Sequence, residues 1–271
     1  MSTQDDGYDL LDACHGGEFD LARSLVSSGT SVDYQDEEHG YTPAMCCCFN
    51  DHANILQFLI DQGADKDRAN NDGSTAVFVS AQNNSHECLN LLLQHGADKD
   101  KATNNGTTPV HISAHQNHHE CLVLLLQNGA DANKARNDGW TPLHTAADKN
   151  SSECVTLLLL PQYGVAVDAV NAHGRTALWW AADQGHQLIA ELLVQSRANI
   201  DIVDIDGKTA IVVARENGHT ALARYLDAES KWRRRGAFVM VLSSIRGAPT
   251  DSKAMKVFHC YDLAREIATY L

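Results

Sequence analysis

Short apolar stretches recur along the chain in pairs, and a small polar motif precedes each pair. The motif is Gly-x-Thr, which occurs six times at intervals of 33, 33, 33, 35 and 33 residues, with its glycine at Gly40, Gly73, Gly106, Gly139, Gly174 and Gly207. The apolar positions have helical spacing. In the unit that begins at Gly73, the second apolar stretch contains Cys88, Leu91 and Leu92 and ends at Gly96. A repeat of this length predicts a solenoid of stacked units, each made of a helix, a turn and a second helix.

The ends of the predicted helices carry residues that suit helix termini. A threonine precedes Pro43, Pro109 and Pro142, so its hydroxyl can cap the first helix, where proline needs no hydrogen-bond donor. Arg197 stands where the preceding units have glycine, so we expect a left-handed arginine there, at a cost on the order of 1 kcal/mol. Two extra residues around 160–163 predict a surface insertion at the end of the fourth complete unit's second helix or in its turn.

The most regular unit reads GWTPLHTAA at residues 139–147. This text resembles the ankyrin repeat, and the resemblance covers residues 9–230, where a degenerate unit precedes six complete ones. It implies an all-α solenoid of helix-turn-helix units with projecting hairpins, and a protein that binds other proteins. Histidine occupies the fourth position of the TPLH text only at His111 and His144, so the family's usual Thr-His bonding is expected in two units.

The charge of the chain is divided unequally. The net charge is −14, yet the residues from Lys231 onward carry eight basic and three acidic side chains, a net charge of +5, which leaves −19 for residues 1–230. We therefore predict a polar N-terminal segment (1–8), the repeats (9–230) and a basic helical C-terminal tail (231–271). An acidic array repels nucleic acid and favours a partner protein with a basic segment.

Two features of the sequence bear on where the protein works. No apolar run approaches the roughly 20 residues that a membrane-spanning helix needs. The polar, acidic start lacks the basic beginning and apolar middle of a secretory signal. These observations predict a protein of the cytosol or nucleus that makes no membrane contact, with its eight cysteines as thiols.

Cysteine and histidine are frequent enough to raise the question of a metal or catalytic site. Cys88, Cys121 and Cys154 occupy one position in successive units, and helices stack roughly 8–10 Å apart, too far for a disulfide or a shared zinc ion. We expect them to be small core residues. The chain also lacks the GxSxG, GxxxxGK and HExxH motifs of common catalytic sites. The sequence therefore predicts no catalytic residue, no metal and no cofactor.

Positions that vary where the scaffold is constant mark the predicted binding surface. By the ankyrin resemblance, the hairpin tips and the outward side of each first helix line a concave face. The predicted partner-binding residues are Tyr41, Phe49, His115, Trp140, Asp148, Arg175, Trp180, Asp183, Lys208 and Glu216. Of these, Tyr41, Phe49 and Trp140 are expected to be apolar anchors, whereas Trp180 either joins them or packs on an adjacent hairpin.

Three of the acidic positions recur in register. Asp148, Asp183 and Glu216 occupy the same place in three successive units. They predict either an acidic stripe that meets a basic segment of a partner, or a solvated face that keeps the protein soluble.

The last fifteen residues, 257–271, predict an amphipathic helix. Its apolar face consists of Leu263, Ile267, Tyr270 and Leu271. The segment resembles the opening helix of an F-box, which implies docking of a Skp-type adaptor and a role as a substrate-recruiting adaptor of a ubiquitin ligase. Two other roles stay open for the tail: a cap on the last repeat, or a nuclear address or partner contact in its basic cluster. A further alternative for the whole chain is a regulatory subunit of a separately encoded enzyme.

Overall fold

The computed structural model describes the backbone of residues 3–245 and the side chains of residues 6–234. The described residues form pairs of α-helices and no strand, which confirms the predicted all-α solenoid. Val203 and Thr209 form an isolated antiparallel bridge at the base of a hairpin. The predicted tail helix with Leu263, Ile267, Tyr270 and Leu271 lies outside the described residues.

Each unit contributes one helix to a first layer and one to a second layer. The pairs are α1 (Thr3–Gly16) and α2 (Phe19–Ser27), α3 (Pro43–Phe49) and α4 (Ala53–Asp61), α5 (Ala76–Asn83) and α6 (His86–Gln94), α7 (Pro109–Gln116) and α8 (His119–Gln127), α9 (Pro142–Asp148) and α10 (Ser152–Leu158), α11 (Ala177–Gln184) and α12 (Gln187–Gln195), and α13 (Ala210–Glu216) and α14 (Thr220–Ile245). The hairpins lie between successive pairs.

Threonine caps the first helix of every complete unit, including the three in which the sequence predicts it, at Thr42, Thr108 and Thr141. Each of these threonines has an extended backbone, and its hydroxyl accepts a hydrogen bond from the N–H three residues later at 3.1–3.4 Å. They are Thr42, Thr75, Thr108, Thr141, Thr176 and Thr209.

The two units with histidine have a fuller network. The Thr108 N–H donates to Nδ1 of His111 at 3.2 Å, which places the ring proton on Nε2, and Nε2 lies 3.0 Å from the Trp140 carbonyl of the next unit. His144 repeats this arrangement and reaches the Arg175 carbonyl at 2.9 Å. The Thr-His bonding is therefore confined to these two units, as the sequence predicts.

The core runs along the array between the two helix layers. Leu56, Leu89 and Leu122 occupy one position in successive second helices and are fully buried. Polar contacts also join the units: the ring of His186, just before α12, lies 3.0 Å from the carbonyl of Asp148 in the preceding unit. Because each unit contacts its neighbours, no central core is needed.

Two irregularities that the sequence predicts are present. Arg197 has φ = 67°, in the left-handed region that glycine adopts in the other units. The extra residues after α10 form a short 3-10 turn, Pro161–Tyr163, which ends at the left-handed Gly164. The insertion therefore lies in the turn that follows the second helix.

The ends of the array differ from a simple division of the sequence. Helix α1 begins at Thr3, inside the predicted polar segment 1–8, and pairs with α2 as the degenerate first unit. The predicted boundary between residues 230 and 231 lies inside α14. None of the helices in the range 3–245 combines the length and apolarity that crossing a bilayer requires.

Candidate protein-binding face

The hairpins and the first helices together border a groove. We call the surface that they form along this groove the groove face. In the middle of the array the groove widens to a cavity of about 420 Å³. Ile112 and His115 of α7 line it from the helix side, and Thr107 and Arg136 line it from the hairpin side. The desolvation of His115 at the groove lowers its pKa, and the nearby Lys149 ammonium adds to this effect. His115, one of the predicted partner-binding residues, thus lies in a cavity that a first helix and the hairpins line together.

Two tryptophans meet on the groove face. The rings of Trp140 and Trp180 have centroids 4.6 Å apart and are tilted by 41°. Trp180 is the fourth residue of α11, the position that Ile112 has in α7, so it lies on the same wall of the groove. Both indoles are half-buried. Trp180 therefore packs against a hairpin residue, Trp140, and still presents part of its ring; its role as an interface anchor stays a prediction.

Arginines flank the tryptophan pair. The guanidinium of Arg136 lies 5.7 Å from the Trp140 ring centre, and that of Arg175 lies 5.3 Å from the Trp180 ring centre. Both distances are within the range of cation–π attraction. The structure thus brings together Trp140, Arg175 and Trp180, which the sequence proposed separately.

Arg175 also has a structural role that its sequence position did not reveal. Its guanidinium lies 4.0 Å over the ring of Trp179, which is 5% exposed. Its Nε is 3.6 Å from Oδ2 of Asp204, whose side chain is fully buried. The arginine therefore links one hairpin to the next, and its guanidinium already forms an ion pair with Asp204 within the protein.

A second aromatic cluster lies on the first complete unit. The rings of Tyr41 and Phe49 meet edge to face at 5.4 Å, and His15 and His39 extend the cluster at 5.7 Å on either side. Burial raises the pKa of Tyr41, and the nearby Asp72 carboxylate adds to the shift. Tyr41 and Phe49 are half-buried, so each presents part of an apolar surface.

The acidic positions are partly neutralised by neighbours. Asp148 pairs with Lys149 at 3.0 Å, and Glu216 pairs with Lys208 at 2.6 Å. The Asp183 carboxylate instead accepts from the side-chain amide of Asn217 at 2.8 Å, and no ion pair to it forms within residues 6–234. Of the three carboxylates in the predicted stripe, Asp183 is therefore the one that has no cationic partner among the described side chains and can pair with an external cation.

Some residues of the groove face are absent from the sequence-based prediction. Ile112 and Phe78 line the cavity, and Arg136 both lines it and stacks on Trp140. Ile112 could have been found, because it has the same helix position as Trp180. Arg136 carries no such signal, since the other units have Asn70, Thr103 or a similar polar residue there.

The thiols and histidines do not gather into a metal site in the described part of the chain. The thiols of Cys88, Cys121 and Cys154 are buried and lie 3.7–3.8 Å from carbonyl oxygens of the preceding unit. Burial raises the pKa of both Cys121 and Cys154 to about 12. These cysteines therefore pack as protonated thiols in the core.

Comparison with known proteins gives one family and several partial relatives. The family model described as "Ankyrin repeats (3 copies)" matches residues 10–103, 98–171 and 159–232. "Protein phosphatase 1 regulatory subunit 27" is similar over 64 residues, at 36% identity for the mouse protein and 34% for the human one; the match covers 24% of this chain and 41% of either relative. The human "2-5A-dependent ribonuclease" is 29% identical over 77 residues, which is 28% of this chain and 10% of that protein.

The match therefore spans less than half the length of these curated relatives. Among solved structures, the human ASB11 ankyrin repeat domain superimposes with a TM-score of 0.72 and 24% sequence identity, covering 80% of this chain and 96% of that domain. At this identity the likeness establishes the fold.

Proposed function

Because the chain belongs to the ankyrin repeat family, whose model matches it from residue 10 to 232, we propose that it is a scaffold that binds a partner protein through the groove face and the hairpin tips. The proposal assigns it no catalytic residue and no cofactor. The observation that carries it is the Trp140–Trp180 pair, which is half-buried, flanked by two guanidiniums and placed on the wall of a groove. Tryptophan and arginine are the residues most enriched among the energetic centres of protein interfaces.

The charge of the array supports a basic partner segment. The net charge of residues 1–230 is −19, so a positively charged segment is steered toward the array over several ångströms. Asp183 lies one turn from Trp180 on α11 and forms no internal ion pair within the described side chains. A lysine or arginine of the partner beside an apolar anchor would satisfy both features.

Affinity capture tests the proposal. The tagged full-length chain is used to capture partners from cells that express it naturally, and the captured proteins are quantified by mass spectrometry. We expect Trp180→Ala and Asp183→Lys each to reduce recovery of the principal partner at least tenfold, as loss of an interface centre worth about 1.4 kcal/mol or more would do.

The matched controls lie on the opposite side of each unit. Leu188→Ala changes a residue of α12 that is 56% exposed, and Asp20→Lys reverses an exposed charge on α2. Both controls should capture the partner as the unmodified chain does. Equal recovery with all four variants would refute the groove face as the binding surface.

A regulatory subunit of a separately encoded enzyme is the second candidate. Two of the partial relatives are named as regulatory subunits of protein phosphatase 1, which favours an enzyme as the captured partner. In that case the captured fraction contains a phosphatase catalytic chain, and its phosphatase rate changes when the chain is titrated in. A captured fraction without any enzyme would leave the general scaffold and exclude this candidate.

The alternative role as a ubiquitin-ligase adaptor rests on the F-box-like segment 257–271. That segment lies beyond the family match, which ends at residue 232, and beyond the described residues. It therefore remains a prediction of the sequence.

A further inference from the structure

The hairpins are joined by a ladder of backbone hydrogen bonds. In each unit, the N–H two residues before the motif glycine donates to the carbonyl one residue before the motif glycine of the preceding unit. The bonds run from Asn71 to His39, Asn104 to Asp72, Asn137 to Asn105, Ala172 to Asp138 and Ile205 to His173, at 2.9–3.2 Å. In this register the next acceptor is the Asp206 carbonyl, and no backbone N–H within residues 3–245 bonds to it.

The edge at which the ladder ends carries two exposed apolar side chains. Ile205 is 69% exposed, and Val203 is 52% exposed, close to the 50% of Val170 in the same place on the preceding hairpin. A Cβ added at Gly174 would lie 3.2 Å from the next hairpin, whereas a Cβ added at Gly207 would meet no atom within 4 Å. We call residues 203–207 the open edge. Exposed apolar side chains beside a free carbonyl are the features of an edge that a further segment can cover.

On the helix side, the same end of the array is already closed by α14. In the preceding units, a side-chain oxygen at the start of each hairpin accepts a backbone N–H of the next unit, as Asp168 does from Asn199 at 2.7 Å. Asp201 has the equivalent position in the last hairpin and accepts from Oγ of Ser230 and from Arg234, at 2.9 and 3.0 Å. The extended part of α14 thus substitutes for a missing unit.

A second contact strengthens this closure. The guanidinium of Arg233 donates to the carbonyls of Val194 and Ala198, both at 2.6 Å, around the turn where Arg197 replaces glycine. The basic residues at 233 and 234 therefore lie against the array. Beside these contacts, Val203 and Ile205 remain exposed.

We propose that the segment 246–271, which continues from α14, packs on the open edge and completes the C-terminal cap. The position of α14 supports this occupant, because Arg234 already reaches Asp201 at the base of the same hairpin. The 26 residues that follow Ile245 can span far more than a five-residue edge, at about 3.3 Å per extended residue.

The chemistry of the segment also fits. Residues 246–256 contain three basic side chains and one acidic one, so this stretch has the charge to pair with the exposed Asp206. Val257 and Phe258 follow and can cover Ile205. A segment of the same chain also pays a smaller entropic penalty for association than a separate molecule does.

A second copy of the chain fits the open edge poorly. Stacking head to tail would bring the first hairpin of one copy against the last hairpin of another. In the register of the ladder the donor would be the N–H of Glu38, which already bonds to Oδ1 of Asp36 at 3.0 Å. Two arrays of net charge −19 would also repel each other.

Site-specific photocross-linking in the full-length chain tests the proposal. A benzophenone amino acid replaces Ile205, and after irradiation the cross-linked peptides are identified by mass spectrometry. We expect an intramolecular cross-link from position 205 to a residue of 246–271. The control has the probe at Val170, which is 50% exposed and has the place of Val203 on the preceding hairpin, whose edge is covered; no such cross-link is expected there.

Every other outcome contradicts the proposal. A cross-link between two chains assigns the open edge to a second copy, and the absence of any cross-link at position 205 shows an edge in contact with solvent. Phe258→Asp provides an independent check. Each of the single variants, Phe258→Asp and Ile205→Asp, should lower the melting temperature by about 2 to 4 °C. The double variant should be no less stable than either single variant. Fully additive losses would show that the two residues do not meet.

Discussion

At the scale of single residues, the buried histidines show how one side chain can serve two units. His111 is 1% exposed, caps its own helix and reaches the Trp140 carbonyl of the next hairpin. Burial lowers the pKa of His111 to about 4 and also lowers the pKa of His144. Both rings are therefore neutral at pH 7, which their role as hydrogen-bond acceptors at Nδ1 requires.

This arrangement predicts a loss of stability in mild acid. The pKa of His111 lies below the value of about 6.5 in the unfolded chain, so the unfolded state binds more protons as the pH falls from about 6.5 toward 4. The contribution of His111 to the free energy of unfolding is complete above pH 6.5. About 2 kcal/mol of this free energy should be lost by pH 5. Urea unfolding at both pH values measures this change. His111→Gln should unfold more easily at pH 7 but show a smaller loss on acidification. An equal loss in both chains would contradict the assignment.

The pair of Arg175 and Asp204 gives a second prediction at this scale. Arg175→Ala leaves the fully buried Asp204 carboxylate without its cation and removes the cover of Trp179. We expect a loss of about 3–5 kcal/mol in the free energy of unfolding, because a buried charge without a partner is strongly destabilising. Urea unfolding checks this. The control is Lys208→Ala, which breaks an exposed ion pair and should change stability little. Similar small effects of both variants would show that Arg175 acts only at the surface.

At the scale of elements, the features predicted from sequence are those that depend on nearby residues. The threonine caps and the left-handed turn at Arg197 follow from residue types within a few positions. The stacking of Arg136 on Trp140 and the contacts of Arg233 with the turn after α12 did not follow, because they depend on how units and helices lie against one another. The sequence also indicated the insertion, but only the structure places it after α10 as a 3-10 turn.

The turn at Arg197 predicts a stabilising substitution. Arg197 has φ = 67° and an exposed side chain. Arg197→Gly should therefore raise the free energy of unfolding by about 1 kcal/mol, since glycine adopts this conformation without a steric penalty. A thermal melt would show a rise of about 2 to 4 °C. The matched control is Gly96→Ala at the equivalent turn, with φ = 77°, which should lower stability. A decrease in stability on Arg197→Gly would mean that the arginine side chain contributes more than its backbone conformation costs.

At the scale of the whole molecule, the array presents two different surfaces. The groove face collects residues from the hairpins and first helices of several units, including the aromatic cluster at Tyr41 and Phe49 and the tryptophan pair. The second helices form the other side. The sequence identified most aromatic members of the groove face, because they break the repeat pattern. It did not indicate that Lys149 and Lys208 form ion pairs with two of the three acidic positions.

The central claim, that the groove face binds a partner protein, is tested most directly by hydrogen exchange of the full-length chain with and without its captured partner. We expect slower exchange in peptides from residues 139–148 and 175–183, and no change in residues 187–195 of α12. Protection confined to α12 and the other second helices, with the groove face unchanged, would contradict the account.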